Sequence, residues 1–189
     1  MTDDDADVTA WALAAGRGDR EACARFVRAT QQRVHRFLSA LVPPSEATDL
    51  TQETYLRAVR SLPSFAARSS AVTWLLAIAR RVAVDHVRAA TSRPRTVPMA
   101  DEYDVPDAQR EGFDREVVLE QLIAALPADR REAFVATQIL GLSYAEAAQV
   151  CDCPVGTIRS RVARAREDLV AAVNGRSVSH RRAPGSAAG

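Results

Sequence analysis

The amino-acid sequence predicts an all-α protein of two small helical domains joined by an acidic linker. Apolar residues recur at spacings of three and four along most of the chain, and no stretch alternates at period two for long enough to indicate a strand. Residues 97–116 carry seven acidic residues, two arginines and two prolines, with almost no apolar periodicity, which is typical of a flexible linker. We therefore expect one domain over residues 8–96 and a second over residues 117–172.

Composition excludes several classes of protein. With 189 residues, 47% of them hydrophobic, the chain can bury one medium core or two small ones. The N-terminus, MTDDDADVTA, lacks the basic flank and apolar run of a signal peptide, and no apolar run approaches the roughly 20 residues that span a bilayer. Three cysteines are too few and too unevenly placed for a disulfide framework. We expect a cytoplasmic protein without membrane insertion.

The overall charge does not indicate a nucleic-acid partner, because 25 basic residues stand against 24 acidic ones. All of the basic residues are arginines, which a biased genomic composition explains most simply. Arginine is nevertheless the side chain that binds phosphates and guanines through two parallel hydrogen bonds. The position of each arginine on its helix therefore says more about nucleic-acid binding than the total number of arginines does.

The first domain is predicted to contain three helices, of which the first and the third are marked by apolar residues on one side. Pro43 and Pro44 separate the first helix from the second, for which Ser45 is the expected N-cap. His86 falls on the apolar side of the third helix, so we expect a core residue rather than a metal ligand. The helices are expected at residues 20–41, 45–61 and 71–90, with a loop at residues 63–70 before the third.

A helix-turn-helix is predicted in the second domain. Ser143 and Glu146 have the Ser-x-x-Glu spacing of a capping box, which marks the start of a short helix over residues 144–150. Residues 151–153 form the turn, and Pro154 suits the first turn of the next helix, where its missing N–H costs nothing. Before this motif, apolar positions at residues 118–126 predict a helix and Pro127 begins another; after it, residues 173–189 predict a disordered tail.

The second helix of the motif has two different faces. Ile158, Val162, Ala165 and Leu169 share one side and are expected to pack inward. The opposite side has small residues near the helix start and arginines beyond them, a surface that can enter a DNA major groove and contact both of its walls. A solvated basic face is the alternative that the pattern alone leaves open.

No catalytic or metal-binding constellation is evident in the sequence. Cys151 and Cys153 could supply two thiolates to zinc, but there is no second pair, and His35, His86 and His180 are scattered. We therefore expect apolar filling by the turn cysteines, with no metal and no cofactor. Because no Ser/His/Asp set, paired carboxylates or Gly-rich phosphate loop occurs either, the chain is not expected to be an enzyme.

Three separated motifs resemble those of one family. Residues 153–166, CPVGTIRSRVARAR, are similar to the recognition helix of extracytoplasmic-function (ECF) sigma factors, group 4 of the sigma-70 family. Residues 49–58, DLTQETYLRA, and residues 73–80, TWLLAIAR, which continue to DHVR at residues 85–88, resemble the N-terminal domain of the same factors. Their order and spacing resemble a sigma2 domain, a linker and a sigma4 domain over about residues 8–172.

The resemblance implies a factor that binds core RNA polymerase and directs promoter-specific initiation, with catalysis left to the polymerase. Sigma4 would dock on the −35 element and sigma2 would recognise and open the −10 element. The implied partners are promoter DNA, the clamp helices of the largest polymerase subunit and the flap of the second-largest, with an anti-sigma factor as a further candidate. The acidic linker would thread the polymerase cleft. A free-standing helix-turn-helix regulator and a sigma-like adaptor that does not read DNA are the alternatives.

The resemblance also assigns candidate residues to each contact. The polymerase-binding residues lie at i, i+3 and i+4, so one helix face presents them. For the −10 element, Phe65 could stack on a flipped base and Arg68 could hold phosphate, whereas an Arg81–Asp85 surface ion pair without a DNA role is the alternative for that pair. The sets are Asp49, Gln52 and Glu53 for the polymerase; Phe65, Arg68, Arg80, Arg81, Asp85 and Arg88 for the −10 element; and Thr157, Arg159, Ser160, Arg161, Arg164 and Arg166 for the −35 element.

Overall fold

The computed structural model describes residues 3–92 and 113–180, and the described residues form helices and connecting turns without any strand. The predicted all-α class is therefore confirmed. A 3-10 turn at Leu62–Ser64 precedes the fourth helix, and a π turn at Val135–Ile139 follows the sixth. The α-helices are α1 (Asp3–Gly16), α2 (Arg20–Leu41), α3 (Pro44–Ser61), α4 (Ala71–Ser92), α5 (Phe113–Ala124), α6 (Ala128–Phe134), α7 (Tyr144–Cys151) and α8 (Val155–His180).

Helix α2 has the bounds that its apolar pattern predicts. The side chain of Asp19 caps it by accepting a hydrogen bond of 3.0 Å from the backbone N–H of Ala22. Helix α3, in contrast, begins at Pro44, and Ser45 is not its N-cap. The prediction of Ser45 as a cap was wrong because a proline fits the first helical turn, where the N–H that it lacks would have no partner.

Helix α1 was not expected, because its apolar residues do not follow a clear helical period. It packs against α2, where Asp5 forms an ion pair of 2.6 Å with Arg33. It also positions the start of α4, since the hydroxyl of Thr9 accepts a hydrogen bond of 3.0 Å from the N–H of Ala71. This bond satisfies one of the free donors at the N-terminus of α4.

The helix-turn-helix forms as predicted. The hydroxyl of Ser143 accepts from the N–H of Glu146 at 3.2 Å, and the carboxylate of Glu146 accepts from the N–H of Ser143 at 2.9 Å, which confirms the capping box. Asp152 ends α7 in the left-handed conformation, with φ of 50°. On α8, Ile158, Val162 and Ala165 are buried as predicted, whereas Leu169 is half-buried.

Helix α8 continues to His180, so residues 173–180 extend a helix that we expected to end near residue 172. The correction has a simple reason, because no proline occurs between Pro154 and Pro184 and one glycine is tolerated within a long helix. The rest of the expected tail, residues 181–189, and most of the expected linker, residues 97–112, lie outside the described residues, whereas residues 113–116 begin α5.

The two groups of helices pack against each other. Helix α4 contacts α7, and α2 contacts α5, α6 and the π turn. The buried side chains of both groups, from Phe26 and Leu76 in the first to Val135 and Val150 in the second, belong to one continuous hydrophobic cluster. Within the described ranges, none of the helices has the length and apolar character required to cross a membrane.

Candidate nucleic-acid and protein interfaces

The outward face of α8 presents the clearest candidate surface for DNA. Arg159, Ser160 and Arg164 are exposed on the side opposite the buried residues of this helix. Neither of these two arginines forms an ion pair or a side-chain hydrogen bond with another described residue. Both guanidinium groups are therefore available to phosphates or base edges.

The other α8 residues that were predicted to contact DNA have partners within the protein. Arg161 is partly buried and lies 3.2 Å from a carboxylate oxygen of Asp129, with a second contact to the sulfur of Cys153. Arg166 donates to the side-chain oxygen of Gln138 at 2.8 Å. Thr157 is half-buried near the helix start. Arg161 and Arg166 thus join α8 to preceding elements, and their contacts with DNA stay a prediction.

Helix α4 exposes Arg81, Asp85 and Arg88 on one side. Asp85 does not pair with Arg81; its Oδ2 atom accepts a hydrogen bond of 2.8 Å from the Nη1 of Arg57 on α3. The alternative of an Arg81–Asp85 surface ion pair is therefore not what the structure contains. Arg81 is left without an ion-pair partner among the described residues, and it remains open to a ligand.

The loop before α4 is held at one end by an aromatic contact. The rings of Phe65 and Trp74 lie 4.8 Å apart between centroids and are tilted by 41°, and both side chains are half-buried. Ala67 adopts a left-handed conformation with φ of 49°, and Arg68 is exposed. A base that stacks on Phe65 must therefore share the Phe65 ring with Trp74 or displace Trp74 from it.

Arg80 is turned away from the exposed side of α4. It forms an ion pair with Glu132 of α6, and the two side chains are only 24% and 10% exposed. Burial raises the pKa of the Glu132 carboxyl, although the charge of Arg80 acts in the opposite direction. Contact of Arg80 with DNA stays a prediction, and it requires that the ion pair between Arg80 and Glu132 first break.

The predicted polymerase face lies on α3. Asp49 and Gln52 are exposed, whereas the Oε1 of Glu53 accepts a hydrogen bond of 2.7 Å from the Nε of Arg57. The same helix exposes two apolar side chains further along, Leu56 at 55% and Val59 at 45%. Exposed aliphatic side chains beside acidic ones are suited to a protein partner.

Arg57 and Glu132 were not among the predicted site residues, although Arg57 contacts two that were and Glu132 contacts one. The spacing of Glu53 and Arg57, four positions apart on a helix, is the signal that could have indicated the first pair. Contacts between distant helices leave no such signal in the sequence.

The prediction of His86 as a core residue was wrong. His86 is half-exposed rather than buried, and its Nε2 lies 2.7 Å from a carboxylate oxygen of Glu46.

The turn cysteines resemble packing residues more than ligands. Cys151 is buried and Cys153 is half-buried, and both are free thiols. Burial raises the pKa of the Cys151 thiol well above its usual range, so the thiolate that zinc prefers is disfavoured. Nowhere in residues 3–92 and 113–180 do three or more His, Cys, Asp or Glu side chains come together to hold a metal ion.

Comparison with known proteins identifies two family regions. The chain matches Sigma-70 region 2 over residues 26–93 and Sigma-70 region 4 over residues 116–169. The ECF RNA polymerase sigma factor SigC of Mycobacterium tuberculosis is 55% identical over 170 residues, which cover 89% of this chain and 92% of that protein. The ECF RNA polymerase sigma-E factor of Escherichia coli is 35% identical over 166 residues, which cover 81% and 87%.

Solved structures show the same architecture. The sigma factor RpoE of Bartonella quintana, in complex with the anti-sigma factor NepR, has a TM-score of 0.61 and 28% identity, covering 77% of this chain and 92% of that chain. CnrH, in complex with the cytosolic domain of CnrY, has a TM-score of 0.69 and covers 89% of this chain and 98% of its own, but at 23% identity it supports the fold alone.

These relatives align along most of the chain, and both sigma regions occur in the expected order. A free-standing helix-turn-helix regulator would account only for the second region. The chain therefore belongs to the ECF group of the sigma-70 family, and it is a sigma factor that binds core RNA polymerase and directs promoter-specific initiation of transcription.

Proposed function

We propose that the two helical groups of this sigma factor divide the promoter between them. The first, expected over residues 8–96, binds the clamp helices of the polymerase through Asp49, Gln52 and Glu53 and recognises the −10 element through the loop before α4 and the outward side of α4. The second, expected over residues 117–172, recognises the −35 element through α8 and binds the polymerase flap. The protein acts in the cytoplasm and leaves catalysis to the polymerase.

The observation that carries this proposal is the outward face of α8. Arg159 and Arg164 are exposed and have no protein partner among the described side chains, whereas Ile158 and Val162 fix the opposite face in the core. An arginine held in this way can form two parallel hydrogen bonds to the edge of a guanine. The same two arginines also add positive charge where a helix would enter the major groove.

Run-off transcription with purified core polymerase tests the proposal. We expect Arg164→Ala to lower initiation by an amount that corresponds to about 1–3 kcal/mol on promoters carrying the preferred base at one −35 position, and to have little effect when that base is replaced. Arg164→Lys is the matched control, because it keeps the charge and loses the paired donors. If both variants lose activity equally on every promoter, Arg164 does not read a base.

An anti-sigma factor is a further proposed partner of this chain. The support is indirect: RpoE of Bartonella quintana was solved in complex with one. Co-expression of this chain with the protein encoded beside it, followed by co-purification, would test the idea. The absence of a complex with any such neighbour would argue against it.

A further inference from the structure

Arg57 of α3 lies between two carboxylates that belong to different proposed interfaces. Its Nε donates to the Oε1 of Glu53 at 2.7 Å, and its Nη1 donates to the Oδ2 of Asp85 at 2.8 Å. Glu53 is on the same helix, and Asp85 is on α4. One guanidinium group thus connects the proposed polymerase face with the proposed −10 face.

The hydrogen bond to Arg57 leaves part of Asp85 available. Its side chain is 56% exposed, and its other oxygen, Oδ1, has no hydrogen bond to another described residue. A carboxylate oxygen accepts hydrogen bonds, so a base with an exocyclic amino group, such as adenine or cytosine, is the complementary ligand. The phosphates of DNA repel a bare carboxylate, and a bonded guanidinium offsets that repulsion.

We propose that Arg57 is a positioning residue for the reading of the −10 element. It holds Asp85 by one oxygen, so that the other oxygen accepts a hydrogen bond from the amino group of an adenine or cytosine. This inference rests on the proposed functions of Asp85 and Glu53. Arg57 also binds Glu53. Binding of the polymerase at Glu53 and binding of a base at Asp85 therefore both affect the side chain of Arg57.

The geometry favours an arginine at this position. The planar guanidinium places its Nε and Nη1 donors at a fixed angle, so each carboxylate is held in one direction. A lysine would supply the same charge as a single point on a flexible stem. All three side chains are 42% to 56% exposed, so these ion pairs add little to the stability of the fold, and their loss should be felt mainly in recognition.

Transcription by the reconstituted holoenzyme tests the inference on promoters that carry each of the four bases at each −10 position. Asp85→Ala first identifies the position that Asp85 reads. At that position, we expect Arg57→Gln to reduce the preference for the amino-bearing base about fivefold to tenfold, and Arg57→Lys to give an intermediate loss. Arg60→Gln is the matched control, since Arg60 is exposed on the same helix and forms no ion pair or side-chain hydrogen bond with another described residue; it should keep the preference.

A double-mutant cycle distinguishes positioning from an independent effect. In the Asp85→Ala background, Arg57→Gln should cause no further change in base preference. If Arg57→Gln lowers initiation equally with all four bases, or adds its full effect to that of Asp85→Ala, the positioning role is overturned while the function of Asp85 stands. If Asp85→Ala changes no base preference, the proposed function of Asp85 is wrong and the inference falls with it. Thermal unfolding of each variant separates these outcomes from loss of the fold.

Discussion

At the scale of single residues, Tyr55 shows the effect of a half-buried polar group on the fold. Its hydroxyl is 2.7 Å from the hydroxyl of Thr30, and this contact joins α3 to α2. Burial raises the pKa of Tyr55 from 10.0 to about 12, although the hydrogen bond to Thr30 acts in the opposite direction. The unfolded chain therefore loses this proton at a lower pH than the folded chain does.

The sign of the pH dependence follows from this difference. The contribution of Tyr55 to stability is fully present below about pH 10 and is lost as the pH rises toward 12. We expect Tyr55→Phe to make the free energy of unfolding decline less at alkaline pH. At pH 8 the variant should be less stable by about 1 kcal/mol, because the hydrogen bond to Thr30 is missing. Urea unfolding at pH 8, 10 and 11 measures both effects; parallel declines in the two proteins would contradict the prediction.

Asp49 provides a residue-scale test of the polymerase face. It is exposed, so Asp49→Arg should change the free energy of unfolding by no more than about 0.5 kcal/mol. At an interface with a basic partner, the reversed charge should weaken binding of core polymerase by more than about tenfold. Asp7→Arg on α1 is the matched control, since it reverses another exposed carboxylate away from this face. Equal core binding by both variants would remove Asp49 from the interface.

The sequence located the outward arginines Arg159 and Arg164 of α8, but not the partners of side chains that meet other helices. Arg159 and Arg164 are exposed as expected, because helical periodicity alone determines the side of α8 on which they lie. Arg80 and His86 occupy predicted helices, yet their partners Glu132 and Glu46 come from other helices. Periodicity contains no information on what packs against a given face, and these contacts therefore required the structure.

At the scale of elements, Gly16 fixes the approach of α1 to the turn before α4. A Cβ atom at this position would lie 2.5 Å from the backbone oxygen of Leu62, whereas a Cβ at Gly156 would meet no atom within 4 Å. The 3-10 turn that begins at Leu62 leads directly into the loop that contains Phe65. A shift of this turn would therefore be transmitted to the proposed −10 loop.

We expect Gly16→Ala to destabilise the protein by about 1–3 kcal/mol, because the backbone of the turn must move. Gly156→Ala, in the open first turn of α8, should instead be neutral or stabilise by up to about 1 kcal/mol. Thermal unfolding checks both changes, and the fluorescence of Trp74 in a Trp11→Phe background reports on the loop. Similar unfolding temperatures for the two glycine variants would show that α1 can move without cost.

The elements themselves were largely predictable from the sequence. Local signals predict α2, the capping box at Ser143 and the turn that follows, because each depends on residues within a few positions of one another. Helix α1 was missed because tertiary contacts such as the Thr9 to Ala71 hydrogen bond, rather than a strong apolar stripe, hold it in place. The extension of α8 to His180 was missed because small residues were given too much weight as helix breakers.

At the scale of the whole molecule, the ion pair between Arg80 and Glu132 joins α4 to α6. We expect Glu132→Ala to lower the free energy of unfolding by about 3 kcal/mol. This is the lower end of the range for a broken buried ion pair, because the side chain of Arg80 is still 24% exposed. The helical groups should then separate more readily, which small-angle X-ray scattering would detect as a larger radius of gyration. The double variant Arg80→Leu with Glu132→Leu should restore the compact form. An unchanged radius of gyration in Glu132→Ala would show that apolar packing alone holds the two groups together.

The continuous hydrophobic cluster has a thermodynamic consequence for the molecule. Because buried side chains of α4 and α7 belong to the same cluster, unfolding of either group exposes apolar surface on the other. The two groups should therefore melt as one cooperative unit, with a calorimetric enthalpy equal to the van't Hoff enthalpy. A heat-capacity peak for this chain would then report the strength of the contact between the groups as well as the stability of each, and a second peak would appear only when that contact is broken.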